Sequence, residues 1–322
     1  MNNLPIFINP IADLAPKTLD SKTAGADSWF LIANVQSGDK EFGLLFHYVT
    51  RGKGEERSTV SVIDITDDCF VTDIANTGNI KQRENGFEFS SANIVWQTSD
   101  NQMSIRASCV QKNISIQLSA QSNGRVFAYN STGYIPLFGA QIPNFEYAFP
   151  QMLTHGTLTI NGETYEFSGN AWFDRQWGAL PVAGLLNGSA RWLWFCATFD
   201  NGDCLALWST RDEIAYDWLT ILHSDGTYTV APLHDIIDSG TGLWQSEKSG
   251  RKWHSKWRIS LPEKDIDLSV QTTNLGQEIV PPVGDKVNGP CIEGAIEMRG
   301  TIAGKAVIGK GFVEIASARD FD

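Results

Sequence analysis

The sequence predicts an almost all-β protein of two domains, each a barrel or sandwich, and three observations carry that expectation. Short runs of alternating or wholly apolar residues recur between turn dipeptides, which is the periodicity of strands. Helical periodicity is nearly absent: Ile11 to Leu19 is the one short candidate, and Pro16 interrupts it. The chain has 322 residues, long for one domain and comfortable for two of about 150 residues each.

The elements follow in order. Glu41 to Val49 and Asn113 to Leu118 read as strands of the first half. Phe138 to Met152, aromatic-rich and carrying Pro143 and Pro150, reads as an ordered connection. Thr157 to Ile160, the turn Asn161-Gly162 and Glu163 to Phe167 make a hairpin, because Asn-Gly tolerates the positive φ angles of a tight turn. The changeover between halves is placed near Ser168, giving domains 1–168 and 169–322. In Arg191 to Phe199 both alternating faces are apolar, as in a strand buried on two sides. Asp200 to Asp203 turns this strand into Cys204 to Thr210. Ser224 to Gly226 separates Asp217 to Leu222 from Thr227 to Val230. Gln277 to Pro290, with Pro281-Pro282, reads as a long loop, and Gly300 to Lys305 leads into a closing strand, Ala306 to Ile315.

Composition removes several functions. Lys and Arg number 25 against 37 Asp and Glu, a net charge of −12, and such a field repels nucleic acid and anionic membrane surfaces. No apolar run approaches a membrane span, and the N-terminus lacks a basic region followed by an apolar core, so the cytoplasm is the expected compartment. The three Asn-x-Ser/Thr sequons, at Asn113, Asn130 and Asn187, carry no weight in that compartment. The five cysteines are scattered without a CxxC pair and read as free thiols, with Cys196 and Cys204 near one another across a hairpin. No GxGxxG, HExxH or GxSxG occurs; Gly300-Thr-Ile-Ala-Gly-Lys-Ala falls one residue short of a phosphate loop, and Ser249-Gly-Arg-Lys252 matches SxxK in a polar segment only. No cofactor and no metal are expected.

The remaining constellation is aromatic. Of 11 tryptophans, most lie between Trp172 and Trp244, and Trp172-Phe-Asp-Arg-Gln-Trp177 mixes aromatic with polar side chains most densely. As a strand, this segment puts Trp172, Asp174 and Gln176 on one face and Phe173, Arg175 and Trp177 on the other. A carboxyl group walled by indoles tends to a raised pKa, which suits a general acid near neutrality. Asp174 and Gln176 are therefore the candidate catalytic residues. Trp172, Arg175, Trp177, Trp192, Trp194, His47, Tyr48 and Trp218 are the candidate substrate contacts. Adjacent residues point oppositely, so only one of His47 and Tyr48 faces a cavity. The same side chains are also what a core and a strand end would use, and the pattern alone leaves both readings open.

The segment Gly156 to Gly178 resembles the signature of the AttH-like, hydroxyneurosporene-synthase-like proteins. Ile292 to Gly300 with Gly309 to Glu314 is similar to that family's closing strands, and Asp27-Ser-Trp-Phe30 stands where members usually carry Glu-Trp-Trp-Tyr. The resemblance implies two lipocalin-like (calycin) β-barrel domains packed together around a hydrophobic ligand cavity. It also implies cofactor-free chemistry on a lipophilic, often polyunsaturated substrate, as in the family's carotenoid and isoflavonoid hydratases and its decalin-forming Diels–Alderases. Arg175 stands where hydratase-like members often carry histidine, and Ser28 replaces a family tryptophan.

Three functions compete on this basis. A cyclase would fold a polyene, polyketide or terpenoid chain in the pocket and is preferred, because Arg175 departs from the hydratase pattern. A hydratase would add water to an isoprenoid or carotenoid-like double bond. A non-catalytic carrier would bind a hydrophobic small molecule and release it unaltered. The sequence carries no signal for oligomeric state.

Overall fold

The structure, a computed structural model, describes residues 7–17, 25–52, 55–84, 86–99, 101–137, 143–179, 189–212, 214–281, 289–317 and 319–321. Asn187, residues 138–142 of the expected connection, 282–288 of the expected loop and 18–19 of the helical candidate lie outside them. The chain divides into two compact units, residues 1–135 with 142–180, and 136–141 with 181–322.

In the first unit the strands are β1 (Gly25–Ser37), β2 (Lys40–Thr50), β3 (Glu56–Asp64), β4 (Cys69–Ala75) and β5 (Gly78–Arg83). They continue with β6 (Gly86–Ser91), β7 (Ile94–Ser99), β8 (Gln102–Cys109) and β9 (Ile114–Ser122). Two short strands, β10 (Phe127–Ala128) and β11 (Tyr134–Ile135), precede the long pair β12 (Asn144–Ile160) and β13 (Glu163–Ala179). Hydrogen bonding follows the order β4-β3-β2-β1-β13-β12-β9-β8-β7-β6-β5, with β10 and β11 added on β12. Among the described residues this is a near-closed barrel of 11 strands. The helical candidate amounts to one 3-10 turn, Ala12–Leu14.

The second unit comprises β14 (Arg191–Phe199), β15 (Cys204–Arg211), β16 (Tyr216–Leu222), β17 (Tyr228–Pro232), β18 (Trp244–Gln245) and β19 (Lys252–Trp253). It ends with β20 (Lys256–Leu261), β21 (Ile266–Thr272), β22 (Glu278–Ile279), β23 (Cys291–Ile302) and β24 (Lys305–Ser317). Its main sheet runs β17-β16-β15-β14-β24-β23-β21-β20, a half-barrel of 8 strands among the described residues. The all-β expectation holds, and the second unit curves into a half-barrel rather than closing.

The long hairpin explains how the first barrel positions its side chains. Asn161 (φ 51°) and Gly162 (φ 89°) supply the two positive-φ residues of the β12–β13 turn. Gly156 on β12 has no room for a side chain, since a Cβ there would stand 1.9 Å from the Gln117 carbonyl oxygen. The register shifts between Phe149 and Met152, around Pro150, which has no N–H to give a ladder. The inward face of β12 accordingly changes from odd residues (Tyr147, Phe149) to even ones (Met152, Leu158).

Three expectations change. The residues from Asn144 to Met152 are strand β12, not connection. Ser168 lies inside β13, opposite Gln36 and His155, and the first unit continues past it. Cys204 pairs with Thr198 and Cys196 with Ala206, so those two thiols are not opposed; all five cysteines are free. The expected two-sided burial of Arg191 to Phe199 is observed, with the core of the second unit formed by its odd residues Leu193, Phe195, Ala197 and Phe199. Among the described residues, no helix is long and apolar enough to cross a membrane.

Candidate functional site

Strands β1, β2, β12 and β13 of the first unit turn Trp29, Phe46, Tyr147 and Phe173 into the barrel core. Their alternate residues form a second face, and register decides what meets there. Asp174 lies opposite Phe30 on one side and Ala148 on the other, and Phe30 in turn lies opposite His47. One row along, Gln176 stands between Ser28 and Glu146. Asp174 sits between Ala148 and Phe30, so its buried carboxylate needs a partner.

The partners are specific. Trp172 Nε1 donates to Asp174 Oδ2 at 2.9 Å, and the Tyr129 hydroxyl donates to Asp174 Oδ1 at 3.0 Å. Tyr129 arrives on a 3-10 turn, Tyr129–Ser131, set between β10 and β11. Phe127 on β10 packs its ring 5.2 Å from Trp172 and 5.1 Å from Tyr129. Ser28 Oγ and His47 Nε2 are hydrogen-bonded at 2.9 Å, and the Phe30 ring meets the imidazole edge-on at 5.1 Å. Burial, aided by the positive charges of Arg57 and Arg51, lowers the His47 pKa to about 3. A neutral imidazole results, able to hold hydrogen bonds but too weak a base to carry protons near neutrality.

The opposite face of β13 has a different task. Arg175 is fully buried; Nε donates to the Asp13 carbonyl at 2.7 Å and Nη2 to that of Ala15 at 2.8 Å. Nη1 donates to the Gln176 carbonyl at 2.6 Å, and Nη2 pairs with Asp27. The guanidinium also stacks 4.3 Å from the Trp29 ring and 5.0 Å from that of Trp177. Arg175 thus spends its donors on holding residues 13–15 at the barrel, and Trp177 packs beside it. Tyr48, fully buried, lies in the same core against Trp29 and Phe89. These three expected substrate contacts lie on the core face of the first unit, not on the face that carries Asp174.

The second unit carries its own non-core face. Trp194 lies opposite Trp208 on β15 and Glu314 on β24; Trp208 lies opposite Trp218, and Glu314 opposite Glu293. One row therefore reads Glu293, Glu314, Trp194, Trp208, Trp218 across five strands. Trp192, one step along, donates through Nε1 to Glu314 Oε1. Burial raises the Glu314 pKa from 4.5 to about 7, against the opposing effect of the Trp192 hydrogen bond.

Trp172, Asp174, Gln176 and His47 consequently share one face of the first unit, and Trp192, Trp194 and Trp218 share one face of the second. Sequence reasoning missed Tyr129, Glu293, Glu314 and Trp208. Glu293 and Glu314 left a signal: each is a lone charge inside an apolar run, Cys-Ile-Glu-Gly-Ala-Ile and Phe-Val-Glu-Ile-Ala. Tyr129 left none, because its position depends on β10 and β11 joining β12. Among the described residues, no group of three His, Cys, Asp or Glu side chains could hold a metal ion.

Comparison with known proteins places this geometry in context. The family model described as AttH-like matches residues 60–318. Kievitone hydratase from Fusarium solani subsp. phaseoli is 23% identical over 315 residues, covering 92% of this chain and 84% of its own. The crystal structure of kievitone hydratase from Nectria haematococca superposes with a TM-score of 0.78 at 18% identity, over 99% of this chain and 95% of that one. A protein assigned to AttH from Nitrosomonas europaea gives 0.75 at 15%, over 90% and 92%. CghA, solved with Sch210972, gives 0.59 at 12%, over 93% and 90%. These likenesses establish the fold.

Proposed function

The chain belongs to the AttH-like family, and on that footing we propose that it is a hydratase, adding water across an isoprenoid-type double bond of a lipophilic small molecule. The observation that carries this reading is the buried Asp174 carboxylate, set in an aromatic face with both oxygens held by Trp172 and Tyr129. Asp174 gives its proton to one alkene carbon, and its carboxylate, held by those two donors, then takes a proton from the water whose C–O bond forms at the other carbon, so the sum is alkene plus water to alcohol. Gln176 and the Ser28–His47 pair supply neutral polar groups beside it, while Phe30 and Trp172 offer apolar surface for the carbon chain. Hydration replaces cyclisation as the preferred reaction, because kievitone hydratase, a relative by sequence, is a hydratase.

The test uses kievitone and other isoprenoid-substituted aromatics as probes, with mass spectrometry reading one oxygen gained from labelled water. Asp174→Asn should lower kcat by about 100-fold or more, with probe binding, followed by tryptophan quenching, retained. Turnover unchanged in that variant would remove Asp174 from the reaction. Saturable quenching with every probe released unaltered would make the wild-type protein a carrier.

A further inference from the structure

The face of the first unit that carries Asp174 continues past Gln176 to a further row. Asn144 on β12 lies opposite Gly178 on β13 and opposite Ile135 on β11, and Gly178 lies opposite Ala26 on β1. Directly opposed residues of an antiparallel ladder project from the same side. Asn144, Glu146 and Ala148 therefore share one face with Gly178, Gln176 and Asp174. The Asn144 and Ala148 rows are separated by about 13 Å along the strand, so Asn144 and Asp174 stand at the two ends of one surface.

The Asn144 row is apolar apart from the carboxamide, since Ala26, Gly178 and Ile135 bring no polar side chain. Asn144 is 3% exposed, and its Nδ2 has no hydrogen-bond partner among the described residues. A buried amide donor without an acceptor costs stability. Glycine at 178 makes the arrangement possible: its φ is 137°, and a Cβ there would stand 2.8 Å from Asn144 Oδ1. The carboxamide thus occupies space that any other residue at 178 would fill, and it holds a donor that these neighbours do not use.

We propose that Asn144 is a specificity-determining residue of the Asp174 site: its Nδ2 donates a hydrogen bond to a carbonyl oxygen on the aromatic head of the lipophilic substrate, whose alkene lies at Asp174. The substrate class rests on the hydratase reading above. A carbonyl oxygen answers the donor without bringing an O–H that the side chains of Ala26, Gly178 and Ile135 could not accept. Fixing the head at one end of the surface positions the alkene at the other. A ligand lacking the oxygen leaves the amide buried and unpaired, and is rejected for that reason.

The experiment uses two probes that differ in one group: an isoprenoid-substituted aromatic ketone, and the same molecule with a methylene in place of the carbonyl. Wild type should favour the ketone by about 10-fold or more, in kcat/KM with labelled water and in Kd by tryptophan quenching. Asn144→Leu, which keeps the branching and removes the donor, should bring both ratios to within about twofold. The same variant should raise the urea midpoint of the ligand-free protein, because an unpaired buried amide is gone. If Asn144→Leu does not fold, Asn144→Ala supplies both ratios. A wild type without preference in either readout, or a preference that survives in the variant, overturns this inference and leaves the hydratase reading standing; water then meets the amide. A midpoint lowered in both variants gives Nδ2 an internal task and overturns it too. A ketone preference in Kd with neither probe hydrated removes the hydratase reading and keeps the Asn144 anchor.

Discussion

His47 and Glu314 sit in similar surroundings and respond to pH with opposite signs. The His47 pKa is lowered from 6.5 to about 3, so the unfolded chain binds a proton there that the folded one does not. Its contribution to stability is intact above pH 6.5 and declines as pH falls from 6.5 through about 3. The Glu314 pKa is raised from 4.5 to about 7, so the folded state holds the extra proton. That contribution is complete below pH 4.5 and is lost as pH rises through about 7. His47→Gln should therefore flatten the acid limb of the stability profile, read as a smaller drop in urea midpoint between about pH 7 and pH 4. An unchanged drop would show that another group carries the acid sensitivity.

At the scale of elements, Arg175 shows how a strand residue can hold a segment remote in the sequence. One side chain on β13 reaches two carbonyls of residues 13–15, and the Asp27 carboxylate that pairs with it accepts the Lys17 N–H at 2.8 Å. Removing one member of a buried ion pair leaves the other desolvated, at a cost of about 3–5 kcal/mol. Arg175→Met should show a loss of that order in urea unfolding, partly recovered by Asp27→Asn in the same chain. A loss below about 1 kcal/mol would mean that the pair behaves as an exposed one. The β12–β13 hairpin was legible from Asn161-Gly162, because turn chemistry is local. The bulge at Pro150 was not, since it depends on a partner strand.

At the scale of the molecule, each unit joins strands remote in sequence. Gly25 pairs with Ala179, and Arg191 with Ser317. Such pairings incur loop-closure entropy before they return contact energy, which slows folding. Refolding from urea, followed by stopped-flow tryptophan fluorescence, should show its main phase slower than about 1 ms. Complete recovery of signal within the mixing time would contradict this. The aromatic faces of both units exist only once these long-range pairs form.

The sequence by itself determined several strands and turns, and the division of Trp172 to Trp177 into two faces, since alternation and positive-φ residues are properties of neighbouring residues. It also carried the family signature between Gly156 and Gly178. Only the tertiary structure decided which face became core. Both faces of β13 and β14 are apolar enough to be buried, so alternation separates Asp174 from Arg175 without saying which one points into the barrel. Pairing with β1 and β2 settled that, placing Arg175 and Tyr48 inside and Asp174 with His47 outside. The same dependence hid Tyr129 and the Glu293–Glu314 pair, whose chemistry comes from burial and from partners far away in the chain.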